Sequence, residues 1–362
     1  MVQTARNIQS EPESAPRPLI EELKANYTLT DVIRTVPARC FQRNAWKAYG
    51  GLAMTVSAVA LGYLAMYLVR AAWFLPLFWL FTGTAMTGLF MLGHECAHLT
   101  FSGSRSINSL IGHLVLTPLF YPFHGWRITH NRHHAHTNDA ELEEAWKPIS
   151  VDEYRALPPL SRLNYSLYRG YFWWLATVYY SLAVTMNPWQ YEKGKDRSSA
   201  CSSIAIVALW IVAFVPTVVR LVGGSGLVIY FVIPWLVFHF WNSTFTLIHH
   251  THPDIPYEPS RKWAMVSGQL YSTVHCTYPR WVEILCHDIN VHIPHHCSTA
   301  IPSYNLREAY AAIRERWQPY LHETRFSWRT MSDIIHRCYV RDETGRYVGG
   351  RDPLSSTRQP GP

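Results

Sequence analysis

Charged residues are absent from four long stretches of this 362-residue chain. Residues 50–69, 71–93, 198–219 and 221–248 contain no Asp, Glu, Lys or Arg. Each stretch is long enough to cross a hydrocarbon layer about 30 Å thick. The pattern predicts an all-α integral membrane protein with four transmembrane helices arranged in two hairpins.

Features of several other protein classes are also missing. The seven cysteines form no CxxC pair, so we predict neither a disulfide framework nor a cysteine-ligated metal cluster. No segment resembles a nucleic-acid-binding module, and we predict no nucleic-acid partner despite a formal net charge of +7. The basic residues concentrate in the segments predicted to be cytoplasmic, as contact with anionic lipid or an acidic protein would require.

The distribution of basic residues predicts the orientation in the membrane. Four of them lie shortly before the first span: Arg34, Arg39, Arg43 and Lys47. The turns within the two hairpins carry only Arg70 and Arg220. Because cytoplasmic segments are enriched in Lys and Arg, we expect the N-terminus on the cytoplasmic or stromal side. An even number of spans places the C-terminus on the same side.

Polar segments flank the predicted membrane domain. Residues 1–30 have no apolar core and contain Pro, Ser and Glu, which predicts a disordered tail before a membrane domain at 31–340. Residues 341–362 are predicted to be a flexible C-terminal tail. The shorter apolar stretches 107–123 and 171–187 are predicted to lie at the membrane interface, since the first contains two prolines and the second is rich in aromatic residues.

Histidine is unusually concentrated. Of the 19 histidines, 17 lie in two windows, residues 94–136 and 239–296. Eight of them form three boxes: His94 and His98 in HECAH, His130, His133 and His134 in HNRHH, and His292, His295 and His296 in HIPHH. Imidazole is the commonest neutral metal ligand, and rings at i, i+3 and i+4 project from one helix face. One zinc ion uses at most four ligands, so eight histidines predict two metal ions.

The predicted topology places all three boxes on the cytoplasmic side. HECAH ends the second span, HNRHH lies in the loop that follows, and HIPHH lies beyond the fourth span. In HIPHH, Pro294 is suited to the first turn of a helix, so this box is predicted to be a helix N-terminus that presents His295 and His296. The sequence therefore predicts a cytoplasmic helical cap that carries a two-metal site.

The sequences around the boxes resemble a known family. TVHCTYPRWVEILCHDINVHIPHHCSTAIPSYNLR (273–307), with HECAH and YPFHGWRITHNRHH (121–134), is similar to the acyl-lipid ω6 (Δ12) fatty acid desaturases of the cyanobacterial and plastid type. The resemblance covers about residues 35–340 and departs from the usual first box at Ala97, where the family has Gly. It implies a di-iron enzyme, with the eight box histidines as ligands, that uses O₂ and two electrons to insert a double bond into a membrane-lipid acyl chain.

The resemblance also implies a further ligand near the end of the last span. LIHHTHP (247–253) resembles that region, and we assign the ligand to His250, with His249 as the alternative. Metal-bound histidine usually donates its other N–H to a carboxylate or carbonyl. Asp288 is our first choice for such a partner, and His287 and Glu95 are also predicted beside the site. Four further acidic residues are candidates: Asp139, Glu141, Asp254 and Glu283.

Electrons are predicted to come from a separate protein. A fused cytochrome b5 domain would need an HPGG-type haem segment, which the sequence lacks. The resemblance implies ferredoxin or a similar carrier, and a basic cytoplasmic face suits an acidic partner. The same basic residues equally serve to set the topology.

Three other interpretations remain open. HECAH matches the HExxH motif of an intramembrane zinc metalloprotease with Glu95 as general base, although six box histidines would then have no role. An acetylenase or hydroxylase on the same scaffold would share the boxes and differ in how the substrate is placed. A metal transporter or haem-carrying subunit would need ionisable residues deep inside the spans, where this chain has no Asp, Glu, Lys or Arg.

Overall fold

The structure is a computed structural model that describes residues 18–69 and 71–349. It is 70% helical. The α-helices, in chain order, are α1 (Leu19–Asn26), α2 (Leu29–Ile33), α3 (Ala45–Leu68), α4 (Leu75–Ala97), α5 (Arg105–Leu116), α6 (Phe123–Ala135), α7 (Val151–Ala156), α8 (Pro159–Arg169), α9 (Ala176–Tyr179), α10 (Lys195–Leu227), α11 (Ile233–His250), α12 (Arg280–Leu285), α13 (His292–Cys297), α14 (Leu306–Trp317) and α15 (Trp328–Arg337).

Shorter helical segments and four strands connect these helices. The π-helical segments are Tyr180–Thr185, Val228–Val232 and Ser267–Tyr271. The 3₁₀ turns are Ala38–Phe41, Ala72–Phe74, Thr117–Leu119, Trp173–Leu175, Pro188–Gln190, Ser303–Asn305 and Gln318–Tyr320. The strands are β1 (Val274–Thr277), β2 (His322–Arg325), β3 (Val340–Arg341) and β4 (Tyr347–Val348). The all-α prediction therefore omitted two small sheets, a parallel β1–β2 pair and an antiparallel β3–β4 pair.

Three helical runs in the described part of the chain are long and apolar enough to cross a membrane. They are Ala45–Leu68, Ala72–Ala97 and the 56-residue run Lys195–His250. The third run includes both stretches for which separate spans were predicted. Its backbone leaves the helical conformation at Gly223, with φ 75° and ψ 175°. A positive φ of this kind favours glycine, which has no Cβ.

The chain reverses its direction near Gly223. The rings of Phe214 and Phe231, one on each side of this glycine, have centroids only 4.9 Å apart. A straight helix would separate the two residues by about 25 Å. The two sides of the bend therefore come into contact through these two rings.

Helix α4 occupies the centre of the apolar bundle and packs against α3 and α11. Small residues allow the close approach. A Cβ added to Gly83 would lie 2.4 Å from the Cβ of Val237 in α11, and one added to Gly62 in α3 would lie 2.2 Å from Thr82 Oγ1 in α4. The indole N–H of Trp241 donates to Thr84 Oγ1 at 2.9 Å, which links α11 to α4. This packing fixes the ends of α4 and α11 beside each other.

The predicted N-terminal tail is ordered in its described part. Helices α1 and α2 bury Leu23 and Val32 in a second core that also contains Ile293 and Ile313. The prediction of disorder is therefore wrong for residues 19–30. Helix α1 packs against the segments Ser267–Tyr271 and Gln318–Tyr320, and α2 packs against α13. Residues 1–17 lie outside the described residues.

The predicted C-terminal tail is also partly ordered. Strand β3 pairs with β4, and Tyr257 N donates to Gly345 O at 2.8 Å. The prediction of a flexible tail is wrong for residues 341–349, because backbone hydrogen bonds hold this hairpin against the rest of the protein. Residues 350–362 lie outside the described residues.

Candidate metal centre

Five histidines from three helices form the first of two clusters. Their ligand nitrogens all lie within 4.8 Å of one another. The members, called cluster 1 below, are His94 and His98 at the end of α4, His130 and His134 of α6, and His295 of α13. The rings at i and i+4 of α4 and of α6 lie on one face of each helix, as their spacing predicts.

A second cluster lies beside the first. His133 of α6, His250 at the end of α11 and His296 of α13 place their ligand nitrogens within 4.8 Å of one another. His292 joins them, because its Nε2 lies 3.1 Å from Nε2 of His250. These four residues are cluster 2 below. The structure thus brings all eight box histidines together with His250.

Two helices contribute histidines to both clusters. His133 and His134 are neighbours on α6, and His295 and His296 are neighbours on α13. Consecutive residues of a helix point about 100° apart. One ring of each pair therefore enters cluster 1 and the other enters cluster 2. The prediction that HIPHH begins a helix is confirmed by α13, which starts at His292.

The ring nitrogens are arranged as they would be around cations. Nε2 of His134 lies 3.1 Å from Nε2 of both His130 and His295, and Nε2 of His133 lies 3.2 Å from that of His250. The Nε2 atoms of His94, His98 and His296 are buried and have no hydrogen-bond partner among the described residues. Buried polar atoms are normally satisfied. A metal ion in each cluster would supply the missing partner, so the residues present fit two metal ions.

Burial keeps these imidazoles neutral and able to bind metal. Loss of hydration, with repulsion from neighbouring histidines, lowers the pKa of His98 to about 3. The same causes lower the pKa of His292 to about 3 and hold the pKa of His134 and His295 well below the ordinary value. A neutral imidazole has a free lone pair on one nitrogen, which is the form that coordinates a metal.

Four groups contact the rings of cluster 2 from outside, one of which is the Thr137 hydroxyl, 3.3 Å from Nδ1 of His296. Nδ1 of His133 lies 2.7 Å from Oε2 of Glu143, and Nδ1 of His296 lies 2.8 Å from Oε1 of Gln269. Nδ1 of His292 lies 3.2 Å from the carbonyl oxygen of Ile289. Neither Glu143 nor Gln269 is among the residues predicted from the sequence. Glu143 follows HNRHH by nine residues, so its proximity in sequence was an available signal.

The three predicted partners of the metal ligands make other contacts. Asp288 Oδ1 accepts hydrogen bonds from Arg280 and Arg307, each at 2.6 Å. Nε2 of His287 lies 2.7 Å from Thr55 Oγ1. Glu95 accepts from Thr100 Oγ1 and from the backbone N–H of Ser303 at 3.0 and 3.1 Å.

These contacts correct the predicted roles. None of the three side chains hydrogen-bonds a cluster histidine within the described ranges. Asp288 is engaged by two guanidinium groups, which attract a carboxylate more strongly than a neutral imidazole does. The Glu95 carboxylate is held by Thr100 and Ser303 and is not a member of either cluster.

An apolar cavity extends from the clusters into the bundle. Its walls include five histidines from the two clusters: His94, His130, His133, His250 and His292. Aromatic and small side chains continue it away from them, among them Phe90, Trp126, Ala176, Tyr180 and Phe245. The exposed residues Glu144 and Tyr168 line the part that reaches the surface. The indole of Trp126 stacks on His130, with centroids 4.5 Å apart and an interplanar angle of 15°.

The predicted alternative ligand, His249, lies in the cavity wall rather than in a cluster. Its ring stacks on His292 with centroids 4.3 Å apart and an angle of 29°. Adjacent residues at a helix end point in different directions, so only one of His249 and His250 can face cluster 2. The structure places His250 there.

Sequence comparison identifies the protein class to which this architecture corresponds. The family model for fatty acid desaturases matches residues 71–328, which contain every histidine of both clusters. The chain belongs to the fatty acid desaturase family.

Named relatives of this desaturase cover almost its whole length. It is 43% identical over 337 residues to the sn-1 oleoyl-lipid 12-desaturase of Synechocystis sp., covering 93% of this chain and 94% of that protein. It is 47% identical over 315 residues to the sn-1 oleoyl-lipid 12-desaturase of Anabaena variabilis, covering 86% and 89%. The chloroplastic omega-6 fatty acid desaturase of Spinacia oleracea is 38% identical over 341 residues, covering 94% of this chain and 75% of that protein.

Proposed function

We propose that this desaturase introduces a Δ12 (ω6) double bond into the oleoyl chain of a membrane lipid. The observation that carries the proposal is the apolar cavity whose wall contains histidines of both clusters. An acyl chain in this cavity would lie directly beside two metal ions. The names of the relatives from Synechocystis sp. and Spinacia oleracea support the position of the new bond.

The nine clustered histidines would hold two irons, His94, His98, His130, His134 and His295 around one and His133, His250, His292 and His296 around the other. Iron bound by imidazole can use O₂ and two electrons to oxidise an unactivated methylene pair. The overall reaction balances when –CH₂–CH₂–, O₂, two electrons and two protons give –CH=CH– and two water molecules.

The protein's own residues would position the substrate and exclude water. Phe90, Trp126 and Phe245 line the cavity with apolar surface, which suits a hydrocarbon chain. The stacking of Trp126 on His130 and the hydrogen bond of Glu143 to His133 hold two of the ligand rings in fixed orientations. The acyl chain would thus lie beside ligand rings whose orientations are fixed.

We further propose that the chain crosses the membrane four times. The first two crossings are Ala45–Leu68 and Ala72–Ala97, and the reversal near Gly223 divides Lys195–His250 into two more. This topology puts both termini and both clusters on the cytoplasmic or stromal side, the side that the basic residues favour. An acidic carrier such as ferredoxin would deliver electrons there.

Lipid analysis of a suitable host tests the proposed reaction. A host that contains oleoyl lipids but makes no dienes would express the chain together with ferredoxin and its reductase. Mass spectrometry with double-bond localisation should show a new 18-carbon diene with its second bond at the ω6 position. A hydroxylated or acetylenic product instead would assign one of the other activities of the scaffold. If the chain is in the membrane with two irons bound and no lipid changes, the proposed substrate or electron donor is wrong.

A further inference from the structure

Glu143 is a buried carboxylate that lies beside His133 and does not line the cavity. Its side chain is 0% exposed, and it lies in the loop between α6 and α7. An ionised group is costly to bury unless several donors surround it. The contacts of this carboxylate therefore identify what it does.

Every acceptor position on Glu143 is directed at a particular donor. Oε1 accepts the backbone N–H groups of Glu144 and Ala145, both at 2.8 Å. Oε2 accepts the backbone N–H of Asn138 at 3.3 Å and lies 2.7 Å from Nδ1 of His133. An ionised carboxylate only accepts hydrogen bonds, so His133 must carry its proton on Nδ1.

This proton position determines what the other nitrogen of His133 can do. With the proton on Nδ1, Nε2 keeps a free lone pair, and Nε2 points at Nε2 of His250 in cluster 2. Glu143 thus selects the tautomer that can bind a metal. It also holds the ring in place, since three backbone N–H groups fix the carboxylate itself.

The two clusters differ in the groups that contact their histidine rings from outside. Among the hydrogen bonds of residues 18–69 and 71–349, Glu143 provides the one carboxylate that contacts a cluster histidine. The other ring partners in cluster 2 are neutral: the Gln269 side chain, the Thr137 hydroxyl and the carbonyl of Ile289. Nδ1 of His250 has no partner among the described residues. In cluster 1, Nδ1 of His134 has no partner among the described residues. Negative charge beside a ligand makes that ligand more basic.

We propose that Glu143 is a positioning residue that fixes His133 in its metal-binding tautomer and makes the metal in cluster 2 electronically distinct from the metal in cluster 1. The inference rests on the proposed function, because it assumes that both clusters bind iron. It predicts two inequivalent irons, only one of which responds to changes at Glu143.

Glu143→Gln is the most informative substitution. The Gln carboxamide has one acceptor oxygen, whereas the two oxygens of Glu143 face four donors. If the amide oxygen accepts from Glu144 and Ala145, the NH₂ group faces His133 and moves the imidazole proton to Nε2, which blocks coordination. If the amide oxygen faces His133 instead, the NH₂ group points at the backbone N–H groups of Glu144 and Ala145, and donors face donors. Either orientation weakens cluster 2.

The test measures iron binding and the spectrum of each iron in the full-length protein purified in detergent. The wild-type protein loaded with ⁵⁷Fe should bind two irons and give two Mössbauer subspectra. In Glu143→Gln, the affinity of one iron should fall by about 10- to 100-fold, with a shift of only one subspectrum. Glu315→Gln, at an exposed position of α14, is the matched control and should change neither quantity.

Two further variants separate positioning from general structural support. In a His133→Ala background, Glu143→Gln should cause no additional loss of iron affinity, because its partner is already absent. An additional loss as large as in the wild-type background would overturn the proposal. Should Glu143→Gln not yield folded protein, Glu143→Asp retains the charge but withdraws the carboxylate from His133, and the same one-site change is expected.

The outcomes also separate this inference from the proposed function. If the wild-type protein binds fewer than two irons, the di-iron function fails. If it binds two irons and neither Glu143 variant alters their affinity or spectra, the function stands and the role of Glu143 is refuted.

Discussion

Replacing His250 by alanine is expected to remove about one of the two irons, whereas replacing its neighbour His249 should leave both in place. Nε2 of His250 lies 3.2 Å from Nε2 of His133 and 3.1 Å from that of His292, so His250 is central to cluster 2. His249 contributes a ring stacked on His292 and no nitrogen to either cluster. The two substitutions remove the same side chain from adjacent positions of one helix.

The size of the effect follows from the number of ligands. Four-ligand structural zinc sites are worth about 10–16 kcal/mol, or about 3 kcal/mol per ligand. Iron(II) binds nitrogen ligands more weakly than zinc does. Removing one of the four imidazoles of cluster 2 should therefore cost about 2–3 kcal/mol, which weakens binding about 30- to 150-fold.

Iron content at a buffered free Fe(II) concentration measures this difference. At a concentration that just saturates the wild-type protein, we expect two irons per chain in the wild type and in His249→Ala. His250→Ala should retain about one. Equal iron content in His250→Ala and wild type, or a loss of iron confined to His249→Ala, would refute the assignment of His250.

Two other predictions concern the cavity and the helix packing. Ala176→Phe places a large ring in the cavity wall. It should lower desaturation of the oleoyl chain at least about tenfold and leave the iron content unchanged. Ala213→Phe, on the exposed side of α10, is the control and should leave desaturation unchanged. Gly83→Ala, whose Cβ would lie 2.4 Å from that of Val237, should destabilise the protein by about 1–3 kcal/mol in detergent, seen as a lower thermal midpoint. In Gly50→Ala no atom lies within 4 Å of the added Cβ, so this variant should be as stable as the wild type or slightly more stable. A similar loss of stability in Gly83→Ala and Gly50→Ala would contradict the close packing of α4 against α11.

The grouping of the box histidines could be predicted because the spacing of histidines within each helix determines which rings share a face. His94 and His98, and likewise His130 and His134, are four residues apart, and a helix puts such pairs on one face whatever surrounds it. HIPHH begins with a proline-compatible first turn, and α13 starts there. The uncharged stretches similarly predict long apolar helices, because no tertiary contact is needed to make a segment hydrophobic.

The partners of the histidines could not be predicted in the same way, because tertiary structure selects them. Glu143 reaches His133 through a loop in which Asn138 and Trp146 have positive φ values of 58° and 52°. No pattern in the sequence specifies such a path for non-glycine residues. Asp288 is near the third box in sequence, but Arg280 and Arg307 converge on it from two different helices.

The ordered termini were missed for a related reason. Helix α1 is only eight residues long, and its stability comes from burying Ile20 and Leu23 against the rest of the protein. Short helices of this kind are marginal in isolation and form through packing. A composition rich in Pro, Ser and Glu therefore concealed a segment that folds on the rest of the protein.

Lipid desaturation is expected to depend on the clustered histidines and not on histidines elsewhere in the chain. His295→Ala removes a member of cluster 1, whereas His322→Ala removes a ring in β2 that packs on Tyr271 outside both clusters. The direct measurement is the diene content of membrane lipids in cells that express each variant at equal protein level with ferredoxin and its reductase. We expect wild-type diene content in His322→Ala and none in His295→Ala. Equal diene content in the two variants would show that desaturation does not depend on the clustered histidines.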